Sequence, residues 1–350
     1  MNITSVGVDL AKSVFSVCAM SSEGRVVERR DLKREAFGTW LQRLPNGCIV
    51  GMEACGASHH WARAMATLGL APRIMAAEFV EPHRKSRAMK NDRNDAEAVA
   101  LAVREVTMRF VSVKSAEQQA RLSRHRMREG WKEERTATMN RIRGLLTEFG
   151  VVFPRSSAVL RKGLAEAVHD ERLPAAVREL VAWAREDLER LDHRIAACDR
   201  AIGLACRCDP AAKRLQDMMG VGPTTADAVI ATVGNAKEFR NGRQFAAWMG
   251  LVPRQFSSGG KARLGAITRR GDAYLRTLLV QGAKSTLKQS LKAAPENATR
   301  LQRWAAELHG RAGYHKTLVA IANKNARVLW ALLAREETYN PEAWKVYEKG

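Results

Sequence analysis

The sequence predicts an N-terminal α/β domain with a mixed sheet, followed by a region that is all α-helical. Over residues 3–113, short β-branched runs alternate with helical segments. From residue 115 onwards, apolar residues recur mainly at helical intervals. The 350 residues suffice for two or more domains with cores of their own. The net charge of +21 indicates a polyanionic partner.

The first region contains six predicted strands and three predicted helices. We place the strands at residues 3–9, 13–20, 25–31, 48–53, 72–77 and 109–113. The helices are expected near residues 34–44, 58–68 and 95–104. Strands joined by short turns, and then strands separated by helices, predict a mixed sheet flanked by helices.

Four carboxylates mark a candidate catalytic site in this region. Asp9 and Glu53 each end an apolar, strand-like run, where a carboxylate is costly unless it is paired or binds a metal. Asp92 and Asp95 are three residues apart at the start of a helical segment, so they share one helical face. Such oxygen ligands suit Mg²⁺ or Mn²⁺ and in-line phosphoryl transfer. For the helical pair alone, the simpler interpretation is that the acids cap the helix and match its dipole.

Basic and small residues surround these acids in the sequence. Lys90 and Arg93 lie beside the helical pair and lower the cost of holding two negative charges together. The basic segment 78–90 either delivers cations to the acids or forms a solvated charged face. Gly51 and Gly56 bracket the acid of the fourth strand and would let a bulky polymer approach closely.

Three helical zones follow. Residues 115–149 contain no proline and many arginines, a second zone follows Pro154, and a third spans residues 174–206. The apolar stripe of the third zone consists of Val177, Leu180, Val181, Ala184, Leu188, Leu191, Ile195 and Ile202. Two long helices joined by a turn form an αα-hairpin, which favours a coiled-coil arm for dimerisation. Because the stripe keeps no strict heptad, packing within one chain is the alternative.

A pattern of helix, glycine turn and helix occupies residues 213–240. Gly220 and Gly222 allow a tight turn whose N–H groups, with the start of the next helix at Thr224, can face a phosphate. This pattern is typical of a helix-hairpin-helix element, which grips the nucleic-acid backbone without reading its sequence. The alternative is a glycine-capped turn between packed helices.

A glycine- and serine-rich loop follows a helix that ends at Gly250. Ser257-Ser258-Gly259-Gly260 is flanked by Arg254, Lys261 and Arg263, so a hydroxyl there is well placed to meet a phosphate. Serine and glycine are also ordinary loop residues. An all-α domain is completed by helices near residues 272–288, 297–309 and 315–336.

Several motifs together resemble one known family. They are Gly7-Val8-Asp9-Leu10-Ala11-Lys12, Glu53-Ala54-Cys55-Gly56, Asp92-Arg93-Asn94-Asp95-Ala96, Gly220-Val221-Gly222-Pro223 and Leu251-Val252-Pro253 with Ser257-Ser258-Gly259. In order and spacing they resemble the DEDD insertion-sequence transposases, over roughly residues 3 to 335. The family often has threonine where Asn91 and Cys55 stand and proline where Met219 stands. These departures leave the four acids intact.

The resemblance implies a domain organisation. Residues 1–113 would form a ribonuclease-H-like catalytic domain, similar to that of Holliday-junction resolvases. A helical, coiled-coil-like arm would occupy residues 114–208, and a helical transposase domain with the helix-hairpin-helix-like element would occupy residues 209–337. A polar tail, loosely attached, would end the chain at residues 338–350.

The resemblance also implies an activity. Metal ions held by Asp9, Glu53, Asp92 and Asp95 would activate the phosphodiester, and Ser258 would attack it to form a phosphoserine–DNA link. The implied partners are donor and target DNA, a guide non-coding RNA from the element, and further copies of the chain in a dimer or tetramer. The residues expected to bind nucleic acid are Lys12, Arg84, Lys85, Lys90, Gly220, Gly222, Thr224, Arg254, Lys261 and Arg263.

Location and rival functions complete the expectations. We find no transmembrane run and no signal-peptide pattern, and six scattered cysteines indicate reduced, mostly buried thiols. We therefore expect a bacterial cytoplasmic protein associated with the nucleoid. The first rival function is a metal-dependent, junction-resolving nuclease in which water is the nucleophile. The second is a noncatalytic nucleic-acid-binding protein whose acids are helix caps.

Overall fold

The computed structural model describes residues 3–84, 91–256, 263–294 and 296–342. The chain divides into two compact units, Met1–Ala116 and Glu117–Gly350. All six cysteines are free, and Cys18, Cys48 and Cys206 are buried. Among the described residues, no helix combines the length and apolarity needed to cross a lipid bilayer.

The first unit contains a six-stranded mixed sheet, as the sequence predicts. Its strands are β1 (Ile3–Asp9), β2 (Val14–Ser21), β3 (Val26–Lys33), β4 (Ile49–Glu53), β5 (Ala71–Met75) and β6 (Phe110–Val111). Its helices are α1 (Arg34–Leu41), α2 (Ser58–Thr67), α3 (Ala77–Val80) and α4 (Asp92–Ala102), with a 3₁₀ turn at Glu81–His83. The strand order is β3-β2-β1-β4-β5-β6, in which β1, β4 and β5 are parallel and the other pairings are antiparallel.

Two glycines let α4 lie directly on the sheet. Gly7 of β1 and Gly51 of β4 are register partners in the parallel ladder. A Cβ atom on Gly7 would come within 2.1 Å of the Ala96 carbonyl oxygen and 2.2 Å of the Ala100 nitrogen. A Cβ on Gly51 would come within 2.8 Å of Val103 Cβ. The expectation that Gly51 leaves room for a polymer is therefore wrong, because the space above it is filled by the chain's own α4 segment.

Replacement of Gly7 by alanine is expected to destabilise the first unit by about 3 kcal/mol, the upper end of the usual cost of overpacking. The new methyl group would meet backbone atoms of α4, which cannot rotate away as a side chain can. The matched control is Gly38→Ala on α1, where an added Cβ meets nothing within 4 Å. Urea unfolding would measure both variants, and equal midpoints would contradict this account of Gly7.

The second unit is mainly helical. Its helices are α5 (Ala116–Thr147), α6 (Ser157–Ala167), α7 (Ala175–Cys208), α8 (Pro210–Gln216), α9 (Pro223–Thr232), α10 (Gly242–Trp248), α11 (Ala273–Ser290), α12 (Arg300–Ala312) and α13 (Tyr314–Ala334). A short antiparallel hairpin, β7 (Pro253–Gln255) and β8 (Leu264–Ile267), precedes α11. The sequence did not predict this hairpin, because nearly all of its residues are exposed and no apolar alternation marks them.

The apolar stripe of α7 packs within the chain. Val177, Val181 and Leu188 join Leu146 of α5 and Leu164 of α6 in one buried cluster. Such packing was the alternative to a coiled-coil arm, and it accounts for the first part of the stripe, up to Leu188. Dimerisation through this region stays a prediction.

Several arginines of α5 are held by acids of the same unit. Arg121 Nη1 lies 2.9 Å from Asp209 Oδ2, and Arg128 Nε lies 2.6 Å from Asp199 Oδ1. Arg135 forms a further pair at 2.9 Å with an aspartate of α7. The basic surface expected along this helix is therefore partly neutralised by internal partners.

A buried polar chain links α5 to α9 and α11. Asp227 and His125 are 0% and 1% exposed, and His125 Nε2 lies 2.9 Å from Asp227 Oδ2. The other ring nitrogen, Nδ1, lies 2.9 Å from the hydroxyl of Tyr274, whose pKa is raised above its usual range mainly by burial. Arg121 Nε lies 3.1 Å from Asp227 Oδ1, so the buried carboxylate has two partners. A buried charge held in this way fixes how the helices pack.

Gly220 also has a packing role. It lies in the turn between α8 and α9 with a φ of +85°, which favours glycine, and an added Cβ would meet the Gly282 carbonyl oxygen of α11 at 2.7 Å. Conversely, a Cβ on Gly282 would lie 1.9 Å from the Gly220 carbonyl oxygen. The turn and α11 therefore touch through their backbones. This observation agrees with the glycine-capped turn, which was the alternative to a phosphate-binding turn at this position.

Candidate active site

The acids that end two strands lie side by side. Asp9 is the last residue of β1 and Glu53 the last of β4. The two strands are parallel neighbours, with Val8 opposite Met52, so their carboxyl ends meet at one edge of the sheet. Both acids are partly exposed there. The predicted juxtaposition of these two carboxylates follows directly from the strand pairing.

The other two acids reach the same edge from α4. This helix begins at Asp92, three residues earlier than the sequence indicated, and Asp95 lies in its first turn. Its N-cap is Asn91, whose side-chain oxygen accepts a 2.8 Å hydrogen bond from the Asn94 N–H group. The N-cap residue is therefore neither acid, and both acids lie in the first turn, where they match the helix dipole. Because another residue caps the helix, the two carboxylates can serve a different purpose.

The four acids interact electrostatically. The pKa of Asp9 is raised from 3.8 to about 6, first by burial and then by the negative charges of Asp92, Asp95 and Glu53. A nearby guanidinium, that of Arg84, acts in the opposite direction. The cluster thus carries more negative charge than its surroundings neutralise, which favours the binding of a cation.

Among the residues that the structure describes, Arg84 pairs with two of these acids. Its Nη2 donates a 3.0 Å hydrogen bond to Glu53 Oε1, and its Nε lies 2.9 Å from Asp95 Oδ1. The guanidinium therefore links an acid of the sheet to an acid of α4. The basic segment 78–90 is expected either to deliver cations to the acids or to form a solvated face, and for Arg84 the structure shows the first alternative. Its expected contact with nucleic acid stays a prediction. Its spacing from the acids in sequence gives no sign of which carboxylates it would meet.

Other arginines fasten α4 to the sheet. Arg93 binds Asp31 of β3 through its Nε at 2.8 Å and its Nη2 at 2.6 Å, and Arg29 Nη2 lies 2.7 Å from Glu97. Just beyond the C-terminal end of α4, Arg104 donates hydrogen bonds to the carbonyl oxygens of Ser21, the last residue of β2, and of Ser22. Arg93 is thus paired with Asp31, and Lys90 lies outside the described residues, so the expectation that these two cations offset the charge of the helical acid pair stays a prediction.

The acid cluster fits a divalent cation by its chemistry. Carboxylate oxygens are the ligands that Mg²⁺ and Mn²⁺ prefer, and burial, followed by the three neighbouring carboxylates, raises the pKa of Asp9. Within the part of the chain that the structure describes, no three His, Cys, Asp or Glu side chains converge at metal-ligand spacing. Arg84 offers a physical reason why these acids do not converge more closely. Its guanidinium bridges Glu53 and Asp95, and so fills the space and balances the charge that a metal ion would take.

The predicted nucleic-acid contacts lie in both units. In the first unit, Lys12 is exposed in the turn between β1 and β2. In the second unit, Arg254 and Arg263 are exposed at the hairpin, and Gly222 is exposed at the start of α9, where an added Cβ would meet nothing within 4 Å. Thr224 is partly buried in the first turn of α9. Four predicted site residues, Lys85, Lys90, Ser258 and Lys261, lie outside the described residues.

Contacts of backbone atoms hold the chain on either side of the β7–β8 hairpin. Gly250 and Gly271 both have positive φ, and a Cβ on Gly250 would lie 2.0 Å from the Arg270 carbonyl oxygen. Asn323 of α13 donates a 3.1 Å hydrogen bond to the carbonyl oxygen of Leu251. These contacts fix where the hairpin leaves the helical core. The glycines were visible in the sequence, but their partners were not.

Comparison with known proteins identifies the chain. A family model of the IS110 DEDD type, described as a transposase, matches residues 6–151, and a model described as Transposase IS116/IS110/IS902 family matches residues 212–297. The chain is 45% identical to a probable family 20 transposase of Pseudomonas aeruginosa, over 97% of this chain and all of the relative. It is 38% identical to the transposase for insertion sequence element IS1111A of Coxiella burnetii, over 97% of this chain and 92% of the relative. It is 33% identical to the transposase for insertion sequence element IS1328 of Yersinia enterocolitica, over 97% and 99%.

These matches, together with the mixed α/β fold, define a transposase, an enzyme that cuts and joins DNA. The chain belongs to the IS116/IS110/IS902 family of insertion-sequence transposases. The resemblance read from the motifs is thereby confirmed. The DEDD type implies a general requirement for a divalent metal. The rival interpretation as a noncatalytic binding protein is wrong.

Proposed function

We propose that the transposase cuts and rejoins DNA with the acid cluster of its first unit and the hydroxyl of Ser258 in its second. The observation that carries this proposal is the gathering of Asp9, Glu53, Asp92 and Asp95 at one edge of the sheet, close enough to raise the pKa of Asp9. The strand order β3-β2-β1-β4-β5, with parallel strands in its second half, supports a ribonuclease-H-like domain.

In this mechanism the four carboxylates would hold Mg²⁺ or Mn²⁺. Bound there, the metal supplies Lewis-acid polarisation of a phosphodiester and lowers the pKa of a bound hydroxyl. Asp9 and Glu53 come from the sheet and Asp92 and Asp95 from α4, so the proposed metal site would be shared between these two elements. Arg84 already places a guanidinium at this position, and such a group would also stabilise charge that develops on phosphate oxygens.

Ser258 would act as the nucleophile. Its hydroxyl would attack phosphorus, the bond to one DNA strand would break, and the leaving oxygen would take a proton, so that a phosphoserine link preserves the energy of the phosphodiester for rejoining. The support is the position of Ser258 between the two strands of an exposed hairpin flanked by Arg254 and Arg263. The helix-hairpin-helix-like turn at Gly222 would add a contact to the DNA backbone.

The remaining parts of the proposal concern partners. We propose that an element-encoded, non-coding RNA guides the choice of donor and target DNA, and that the active form is a homodimer or homotetramer. The net charge of +21 supports extensive binding of nucleic acid. We place this activity in the cytoplasm, at the nucleoid. The alternative mechanism is hydrolysis by a junction-resolving nuclease, in which water replaces the serine.

Metal removal tests the proposal. The purified protein would be incubated with DNA that carries the element ends and with the element transcript, in Mg²⁺, in Mn²⁺ or in excess chelator. Cleavage is expected in either metal and none in chelator, because the carboxylates need a cation to orient and activate the phosphodiester. Denaturing gels would show whether cut DNA carries covalently bound protein. Cleavage in chelator would refute the role of the acid cluster, and cleavage in metal with no adduct would favour the nuclease.

A further inference from the structure

A cavity of about 900 Å³ lies within the second unit, and none of the proposed catalytic residues is among its lining residues. One wall is a face of α13, a second is the start of α10, and a third is the chain that follows α13 up to Asn340. Its volume lies in the upper part of the range of small-molecule pockets, about 300–1,000 Å³. The cavity is therefore large enough for more than one small ion.

The lining of this cavity is strongly basic. Lys324, Arg327 and Arg335 line it from one side of α13 and its C-terminal end, and Arg243 of α10 adds a fourth cation. Among the described residues that line the cavity, Glu337 is the only acid, and its Oε1 lies 3.4 Å from Arg335 Nη1. Among the described lining residues, cations therefore outnumber acids four to one, an excess that suits an anionic ligand.

Lys324 shows this excess of charge most clearly. Its ammonium nitrogen lies 4.1 Å from the centre of the Trp304 ring, so the amine is partly desolvated. Burial, followed by the positive charges of Arg327 and Arg300, lowers the pKa of Lys324 to about 8. The amine is still mostly protonated at neutral pH. A cation kept among other cations at a cavity wall is a suitable partner for a multiply charged anion.

We propose that this cavity binds phosphate groups of a nucleic-acid strand, through Lys324, Arg327, Arg335 and Arg243. The preference for phosphate rests on the cavity itself, whereas the strand as its source rests on the proposed function. A free phosphate or nucleotide shares the same chemistry, so the experiment must separate the two sources. The cavity would serve as an anchor for nucleic acid at a place distinct from the acid cluster, the helix-hairpin-helix-like turn and the hairpin.

Protection of Lys324 from chemical modification tests the proposal in the intact protein. An amine-selective acylating reagent reacts with the unprotonated amine, so the lowered pKa makes Lys324 a sensitive reporter. Peptide mass spectrometry would follow its modification alone, with inorganic phosphate and with a short single-stranded oligothymidylate. We expect the oligothymidylate to slow modification of Lys324 about tenfold, as occupancy by a tightly bound anion requires. Lys316, exposed on the same helix, serves as the internal control.

A pair of variants with equal loss of charge provides the second measurement. Lys324→Gln with Arg327→Gln removes two cations of the cavity, and Lys316→Gln with Arg311→Gln removes two exposed cations elsewhere on α12 and α13. Fluorescence anisotropy of labelled oligothymidylate should show about tenfold weaker binding for the first pair and about twofold for the second.

Each unfavourable outcome has a distinct meaning. No protection of Lys324 by either probe, or equal losses of affinity in the two double variants, would overturn the proposal. Protection by inorganic phosphate alone would overturn the assignment to a nucleic-acid strand. DNA cleavage by the acid cluster is measured in a separate assay on residues of the other unit. Failure of this inference and failure of the proposed function are therefore distinguishable.

Discussion

Asp9→Asn is expected to abolish DNA cleavage while leaving nucleic-acid binding intact. A metal ligand contributes several kcal/mol to stabilising the transition state, and about 1.36 kcal/mol changes a rate tenfold. We therefore expect cleavage to fall by at least about a thousandfold. Binding should persist or tighten, because the substitution removes one negative charge from a protein that grips a polyanion. Single-turnover cleavage and anisotropy on the same preparation would measure both.

The same variant should lose cleavage without losing stability: its free energy of unfolding at neutral pH is expected to stay equal or to rise. Asp9 is crowded by three other carboxylates, and its pKa in the folded protein lies above the value of 3.8. A raised carboxyl pKa means that ionised Asp9 opposes folding at neutral pH, and that this cost is relieved as the pH falls from about 6 towards 3.8. In metal-free buffer at pH 7, the variant with the amide should therefore be at least as stable as the wild type with the carboxylate.

The matched control for the cleavage experiment is Glu23→Gln, in the exposed turn between β2 and β3, which should retain cleavage. Normal cleavage by Asp9→Asn would remove this residue from the mechanism.

Ser258→Ala is expected to form no covalent protein–DNA adduct. A serine hydroxyl is a poor nucleophile until its proton is removed and nearby charge stabilises the attacked phosphorus. The acid cluster is the proposed source of that activation, so the reaction depends on both sites. The wild type should give an adduct that survives denaturant, and Ser258→Ala should give none while still binding DNA. Denaturing electrophoresis of end-labelled DNA would detect the difference.

The neighbouring hydroxyl provides the control for this experiment. Ser257→Ala alters the same loop by the same chemical change and should retain the adduct, at the same or reduced yield. An adduct lost from both variants would indicate that the loop conformation, and not one hydroxyl, had been disturbed. Cleavage by Ser258→Ala at the wild-type rate would identify water as the nucleophile and favour the junction-resolving alternative.

The sheet and its acids could be predicted because local pattern determines them. The β-branched runs that became β1 and β4 each end at a carboxylate, and the parallel pairing of β1 with β4 then brings Asp9 to Glu53. The long helices were equally predictable, because apolar residues recur at helical spacing over many turns. These features are written in short stretches of sequence and need no knowledge of distant contacts.

The partners of charged residues could not be predicted in the same way. Arg84 and Arg93 are both close to the acid motif in sequence, yet only Arg84 binds the acids, and Arg93 binds Asp31 of β3. Long, flexible side chains choose among several carboxylates by tertiary geometry, which no local pattern records. Gly51 was misjudged for the same reason, because the structure that fills the space above it comes from a later part of the chain.

The contact of Gly7 with Ala96 and Ala100 also limits what a mutational survey of this enzyme could reveal. Each residue of an α-helix points in a direction fixed by the rotation of the helix about its axis, about 100° from its neighbour. Rotation of α4 would therefore turn Asp95 away from the edge of the sheet where Asp9 lies. That rotation is blocked by main-chain atoms in contact, not by any group that reacts with DNA. Ala96 and Ala100 are also fully buried against Cys18 and Met20, so larger side chains there are expected to displace α4 and lower activity without removing an acid. Loss of activity on substitution along α4 can therefore reflect a displaced helix as well as a missing catalytic group. Metal binding measured separately from turnover would distinguish the two causes.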